Sequence, residues 1–393
     1  MSFKRLETAE LSGKTAIVRV DFNVPRDDAG NITEDTRIRS ALPTINYLQE
    51  QGAKVVLLSH FGRPKGEPNP DMSLRFIVPA LEKFLSKSVT FMERPSADLI
   101  SGLDQDAIVL VENTRFSSME TAGDPKMAQF LASLGDIFVM DAFSASHRKH
   151  ASSAVIGEYL PSYAGLAMER ELDHLAAALD HPKTPVMAIV GGAKVSTKID
   201  LLENLVTRLD TLVIGGGMAN TFLFAQGHDV GASLCEKNLK AKALDIMAAA
   251  KSANCEIVLP IDVVVATEFK ANADSRVCGL DDVAPHEMIL DAGPDTVSTI
   301  LDVMEASKTL IWNGPLGAFE MTPFDTSTVE SAKFAAKLCR KDAIIAVAGG
   351  GDTVAALALA DVLDDFTFIS TAGGAFLEWM EGKTLPGVDI LKV

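Results

Sequence analysis

In the first half of the chain, residues able to grip an anion stand directly after short apolar runs. Asp21 and Asn23 follow residues 15–20, His60 and Arg63 follow 54–58, Arg115 follows 107–111, and His147 with Arg148 follows 137–140. Arg37 comes after the first of these loops. Arginine offers a planar fork that matches carboxylate or phosphate in a bidentate way. A single arginine reads equally well as a solvated charge or a packing stem. Four arginines and a histidine at strand ends read as a site for a small, multiply anionic ligand. Asp21 and Asn23 fit a turn or a helix cap, and beside such forks they also fit acceptors for a ligand hydroxyl.

The second half carries different chemistry at the same kind of position. Its apolar runs end in Gly191-Gly192-Ala193-Lys194 with Lys198 beyond, Gly215-Gly216-Gly217, Asp262, Asn313-Gly314, Gly349-Gly350-Gly351-Asp352-Thr353 and Gly373-Gly374. Glycine-rich turns that open helices let backbone N–H groups approach phosphates. Each alone is equally a tight turn; together they indicate a nucleotide. None matches the dinucleotide fingerprint, because Asn220 and Val354 stand where a third glycine belongs, and none is a Walker A loop. Lys194 and Lys198, four apart, are expected to share one helical face, pointing at phosphates or into solvent. Asp352 is either an N-cap or the carboxylate that holds a nucleotide-bound Mg²⁺.

The elements that must position these residues follow from the hydrophobic pattern. Beyond the four runs named above, runs at 186–190, 211–214, 255–259, 309–311, 343–347 and 366–369 are almost continuously apolar and β-branched, as strands buried on both faces are. Helical patterns lie between runs, at 41–50, 126–134, 197–208, 294–307 and 326–339. Strand–helix–strand repetition predicts an α/β protein with parallel sheets covered by helices on both sides. Ten strands are too many for one compact sheet. An Ala- and Leu-rich helix from Leu166 stopped by Pro182 and Pro185 reads as the connector. The expectation is therefore two doubly wound, Rossmann-like domains joined by a hinge helix: residues 1–170, a linker at 171–185, and 186–393, with the last residues free to return to the first domain.

Composition narrows the function classes. The 393 residues are 47% hydrophobic and 23% charged, ordinary for globular chains and enough for two or three domains at roughly 150 residues each. A net charge of −17 argues against nucleic acid and against an anionic membrane surface as partners. The charged start of the sequence is not a secretory signal. Four scattered cysteines without C-x-x-C, and seven histidines without H-E-x-x-H, read as a reducing cytosol and no zinc site.

The sequence also resembles the phosphoglycerate kinase family over nearly its whole length. Nine ordered motifs carry the resemblance: 19–25 (Arg-Val-Asp-Phe-Asn-Val-Pro), 59–64, 112–116, 146–148, 191–195, 215–219, 312–315, 349–353 and 370–375. It implies reversible phosphoryl transfer from 1,3-bisphosphoglycerate to ADP with Mg²⁺, in two-domain, mostly monomeric, cytosolic enzymes that close about a hinge. By motif, Asp21, Asn23, Arg37, His60, Arg63, Arg115 and Arg148 would hold phosphoglycerate. Lys198, Asn313, Glu320, Gly350, Gly351, Asp352 and Thr353 would hold the nucleotide and, through Asp352, its metal. Arg37, Lys194 and the amides of Gly373 and Gly374 would stabilise the phosphoryl group in flight. Ala372 stands where the family usually has a further glycine; a positive φ there would cost on the order of 1 kcal/mol. Two rival readings predict features that this sequence lacks: a nicotinamide dehydrogenase needs G-x-G-x-x-G with a distal acid, and a two-lobed solute-binding protein needs a signal peptide and no nucleotide lobe.

Overall fold

The computed structural model describes residues 2–393. Residues up to Asp173, together with Thr384–Val393, form one compact unit, and His174–Lys383 form a second.

The first unit is built on six parallel strands: β1 Thr15–Arg19, β2 Lys54–Leu58, β3 Val89–Met92, β4 Ile108–Val111, β5 Ile137–Met140 and β6 Ser162–Ala164, in the order β3-β4-β2-β1-β5-β6. The order reverses direction around β1, so crossovers place helices on both faces. The central strands are buried along their whole length, which is why their sequences are apolar runs without alternation. The helix Thr36–Glu50 turns Ile38, Ala41, Ile45 and Leu48 into this core; it begins five residues before the expected 41.

In the second unit, β7 Val186–Val190, β8 Thr211–Ile214 and β9 Glu256–Val258 are followed by a small sheet, β10 Asp262–Ala266, β11 Ser275–Gly279 and β12 Met288–Ala292. The main sheet then continues with β13 Thr309–Asn313, β14 Ile345–Gly349 and β15 Phe368–Ser370. The six-stranded parallel sheet runs β15-β14-β13-β7-β8-β9, and the antiparallel trio runs β11-β10-β12.

All ten expected strands are present. Two that the pattern did not show, β3 and β6, are an edge strand with a half-exposed face and a three-residue strand. The antiparallel trio was also missed, and with it the place of Asp262. That residue opens β10 and accepts from the N–H of Asp295 (3.1 Å) and of Thr296 (2.8 Å), capping the helix Pro294–Ala306. It is a structural acceptor, not a ligand position.

The chain passes from one unit to the other within the helix Leu166–Leu175, which runs on as a π-helical turn, Ala176–Asp180, before Pro182. The four cysteines are free thiols. Among the described residues no helix is long and apolar enough to cross a membrane.

Candidate active site

The strand ends of the first unit gather the expected anion-binding residues. Arg37 Nη1 donates to Asp21 Oδ2 (3.0 Å) and to the Asn23 carbonyl (3.0 Å), and Ser144 Oγ donates to the same Asp21 oxygen. Asp21 Oδ1 accepts from Asn23 N–H, and Asn23 Oδ1 accepts from Gly62 N–H (2.9 Å), joining the loops after β1 and β2. Arg115 Nη1 donates to the Gly62 carbonyl (2.9 Å). Arg63 and Arg148 are exposed at the margin.

The cluster is electrostatically tense. Burial and the neighbouring Arg19, Arg148 and Arg63 lower the proton affinity of the Arg115 guanidinium. Burial and Arg19, Arg115, His150 and Arg37 hold His60 well below the usual imidazole range. Burial with Arg115, Arg19 and Arg148 pushes His150 down to about 4. Like charges held together, with few carboxylates to neutralise them, favour an anion arriving from solution.

The glycine-rich turns of the second unit do open helices. Gly215, Gly350 and Gly373 precede the helices Gly216–Gln226, Gly351–Leu359 and Gly374–Met380, and no side chain caps any of the three. At the helix Gly351–Leu359 the first N–H groups have no partner among the described residues and are open to an anion. By contrast, Gly216 N–H and Met218 N–H are taken by the Leu316 carbonyl (2.7 Å) and the Gly192 carbonyl (3.0 Å), and Ala375 N–H by the Ala372 carbonyl (3.0 Å). Gly350 combines φ +99° with a site where a Cβ would meet Asn313 Nδ2 at 2.9 Å, so only glycine fits. In the last loop the left-handed residue is Gly373 (φ +43°), not Ala372, so the alanine there carries no left-handed strain.

Lys198 behaves differently from expectation. Its ammonium donates to the Gly191 carbonyl (2.6 Å), the Asn313 carbonyl (3.0 Å) and Asn313 Oδ1 (2.6 Å), so its three donors are occupied. Burial pushes it down to about 8, against the pull of Asp352. Lys194 is extended and exposed, ahead of a 3₁₀ turn at Val195–Thr197, and the two lysines share no helical face. The 3₁₀ turn, which replaces the start of the expected helix 197–208, lets Lys198 reach back to the strand ends. Asn313 Nδ2 donates to the Gly349 carbonyl (2.8 Å), and Gly314 N–H donates to Thr353 Oγ1 (2.7 Å). Lys198, Asn313 and Thr353 thus tie together the ends of β7, β13 and β14.

A cavity of about 610 Å³ opens beside this knot, walled by Leu234, Phe269, Leu290, Leu316 and Phe319, with Glu320 and Asp352 on its lining. Its apolar walls and size suit a flat heterocycle. Lys194, Gly373 and Gly374 are not among its lining residues. Asp352 is exposed at the second helical position, and its carboxylate makes no hydrogen bond to a described residue and does not cap its helix. The N-cap alternative is thereby removed.

Sequence reasoning passed over Arg19, Glu120, Ser144, His150 and Ser152. Arg19 had a visible signal, a lone cation at the end of an apolar run. The others lie in loops whose approach to the site no local pattern announces.

Two Rossmann-like units, one with a basic strand-end cluster and the other with glycine-capped helices around an apolar cavity, define a kinase-type enzyme of small phosphorylated metabolites. The phosphoglycerate kinase family model matches residues 6–383. Phosphoglycerate kinases from Caulobacter sp. (strain K31) and Maricaulis maris (strain MCS10) are 58% and 57% identical to this chain. They cover 100% and 98% of it, and the chain covers 100% and 96% of them. The solved structure of phosphoglycerate kinase from Coxiella burnetii superposes with a TM-score of 0.93 at 42% identity, covering 99% of both chains. The chain belongs to the phosphoglycerate kinase family. Its reaction is the glycolytic transfer of a phosphoryl group between 1,3-bisphosphoglycerate and ADP, giving 3-phosphoglycerate and ATP.

Proposed function

We propose that the first unit holds phosphoglycerate through Asp21, Asn23, Arg37, His60, Arg63, Arg115 and Arg148. The second holds Mg-nucleotide through Lys198, Asn313, Glu320, Gly350, Gly351, Asp352 and Thr353. The observation that carries the first half is the gathering of cations at the strand ends, with Arg37 held on Asp21 and the Asn23 carbonyl, Arg115 on the Gly62 carbonyl, and burial with Arg19, Arg148 and Arg63 lowering the proton affinity of Arg115. A site that already strains to hold its own charge gains most from a polyanion.

In this reading the basic cluster orients the substrate, and Asp21 and Asn23 accept from its hydroxyl. Lys198, Asn313 and Thr353 act mainly by shaping the nucleotide loops, since their polar atoms already bond to one another and to backbone. Arg37, Lys194 and the Gly373 and Gly374 amides meet the phosphoryl group in transit. The acceptor is already a carboxylate or phosphate oxygen, so no general base is required. Substrates on different units require closure about the connecting helix, which also keeps water from the acyl phosphate.

Asp352 fits a Mg²⁺ site of the substrate-borne kind: it is a single free carboxylate, and among the described residues no three acidic, His or Cys groups converge on a metal position. Bound there with the nucleotide, the ion would neutralise phosphate charge. The reading includes a cytoplasmic monomer whose partners are small molecules, with neither nucleic acid nor membrane. In a coupled assay of ATP formation, Asp352→Ala should raise the Mg²⁺ concentration needed for half-maximal rate and leave KM for 1,3-bisphosphoglycerate within twofold or so. An unchanged Mg²⁺ requirement would remove Asp352 from the metal.

A further inference from the structure

Three buried polar residues of the first unit have no part in the assignment above, and they form one chain. Glu120 is fully buried, and Ser152 gives it both its N–H (3.0 Å to Oε2) and its hydroxyl proton (2.6 Å to Oε1). The Ser152 oxygen in turn accepts from Nε of Arg19, the 1%-exposed last residue of β1. Arg19 Nη1 donates to the Val20 carbonyl, and Nη2 lies 2.8 Å from Nδ1 of His60.

That last contact has only one possible direction. A guanidinium carries donors and no acceptor, and it stays protonated in proteins. His60 Nδ1 must therefore present its lone pair and carry no proton, which places the ring proton on Nε2. Nε2 has no protein partner among the described residues, and it is not sealed from solvent.

We propose that the chain Glu120–Ser152–Arg19 is a positioning device that locks His60 in its neutral, Nε2-protonated tautomer, so that the ring meets phosphoglycerate as a directed hydrogen-bond donor and not as a charge. The proposal rests on the placement of His60 in the phosphoglycerate site. The surroundings agree on every side: Arg19 faces the ring from β1, Arg37 from the helix Thr36–Glu50, Arg115 from the turn after β4, and His150 from the loop after β5. Each opposes a second proton on His60. The nearby carboxylate Glu120 is behind Arg19 and reaches the ring only through it. Charge for the substrate comes from the arginines, and the histidine adds direction that is independent of pH near neutrality.

The test is long-range ¹H–¹⁵N correlation spectroscopy on the full-length protein labelled at histidine nitrogen, with His60 assigned by loss of its signals in His60→Gln. Without ligand, from about pH 5.5 to 8, His60 should show an unprotonated Nδ1 and a protonated Nε2 that do not titrate. A protonated Nδ1, or a titration with an ordinary imidazole midpoint, would overturn the proposal. Adding 3-phosphoglycerate should shift Nε2 more than Nδ1. If the tautomer is as stated but neither nitrogen responds, the lock stands and the assignment of His60 to substrate fails instead. The double variant Arg19→Met/Glu120→Gln removes both buried charges. If folded, it should restore titration of His60 and raise KM for 3-phosphoglycerate roughly tenfold. A folded double variant whose His60 still fails to titrate would show that burial alone sets the ring's state and that the chain does not.

Discussion

Arg37 is only half tethered: Nη1 bonds to Asp21 and to the Asn23 carbonyl, while Nη2 has no partner among the described residues. Lys194 is exposed, and its ammonium forms no ion pair or hydrogen bond among the described residues. Both retain free donors for a group whose charge spreads over its equatorial oxygens only as transfer proceeds. Arg37→Ala and Lys194→Ala should each lower kcat about a hundredfold, equivalent to roughly 3 kcal/mol, with KM for either substrate changed only a few-fold. Steady-state kinetics on both variants decides. If each instead raises KM with kcat intact, these residues clamp the ground state. At this scale the strand-end arginines were legible, because a cation after a buried apolar run has little place to go except the open end of the sheet. The engagement of Lys198 with Asn313 was not legible. It depends on two loops 115 positions apart meeting in space.

Among the elements, the helix that carries the chain between units is anchored at its start by an unusual acceptor. Asp141, just beyond β5, receives Ala167 N–H (2.9 Å) and Met168 N–H (3.2 Å) on Oδ1, and Thr44 Oγ1 receives Leu166 N–H (2.9 Å). Burial raises the Asp141 carboxyl to about 7, against the helix amides and Thr44. Its folded value lies above its unfolded value of about 3.9, so the native state takes up a proton between those limits. The stability it contributes is complete below about pH 4 and is lost as pH rises towards 7. Asp141→Asn keeps the acceptor and removes the ionisation. The variant should therefore gain stability relative to the parent as pH is raised from 5 to 8, by a few kcal/mol at most. Urea unfolding of the full chain at several pH values measures this. A difference that stays flat with pH would mean that Asp141 remains ionised in its buried place. The helix itself was readable from its Ala and Leu content and its terminal prolines. Its anchor was not, because Asp141 reads locally as one more polar residue after a strand.

For the molecule as a whole, the last ten residues belong to the first unit. Lys4 N–H donates to the Leu391 carbonyl (2.8 Å), Phe3 and Lys392 form an antiparallel bridge, and Gly387 N–H donates to the Ser146 carbonyl (2.8 Å). Leu385, Val388 and Leu391 are almost entirely buried. Three such side chains are worth on the order of 5 kcal/mol of burial. A chain ending at Lys383 should lose about that much stability in its first unit. Ser146 is two residues from Arg148, so the truncation should also weaken 3-phosphoglycerate binding far more than nucleotide binding. Calorimetry with each ligand separates the outcomes, and an equal loss of both would contradict a role confined to the first unit.

The amino-acid sequence by itself determined ten of the strands, most of them because a strand covered on both faces must be apolar throughout, and it determined which turns carry charge and which carry glycine. It also determined the family, since nine ordered motifs leave little freedom. The tertiary structure alone decided which polar groups are occupied and which are free. Lys198 and Thr353 became ties between strand ends, Asp262 became a helix cap, and Asp352 was left open. Arg19, visible in the sequence only as a cation ending an apolar run, was turned onto His60 by packing between β1 and the loop that bears Ser152. Hydrogen bonds between residues distant in the chain obey the spacing of the folded backbone, and nothing in local composition encodes that spacing.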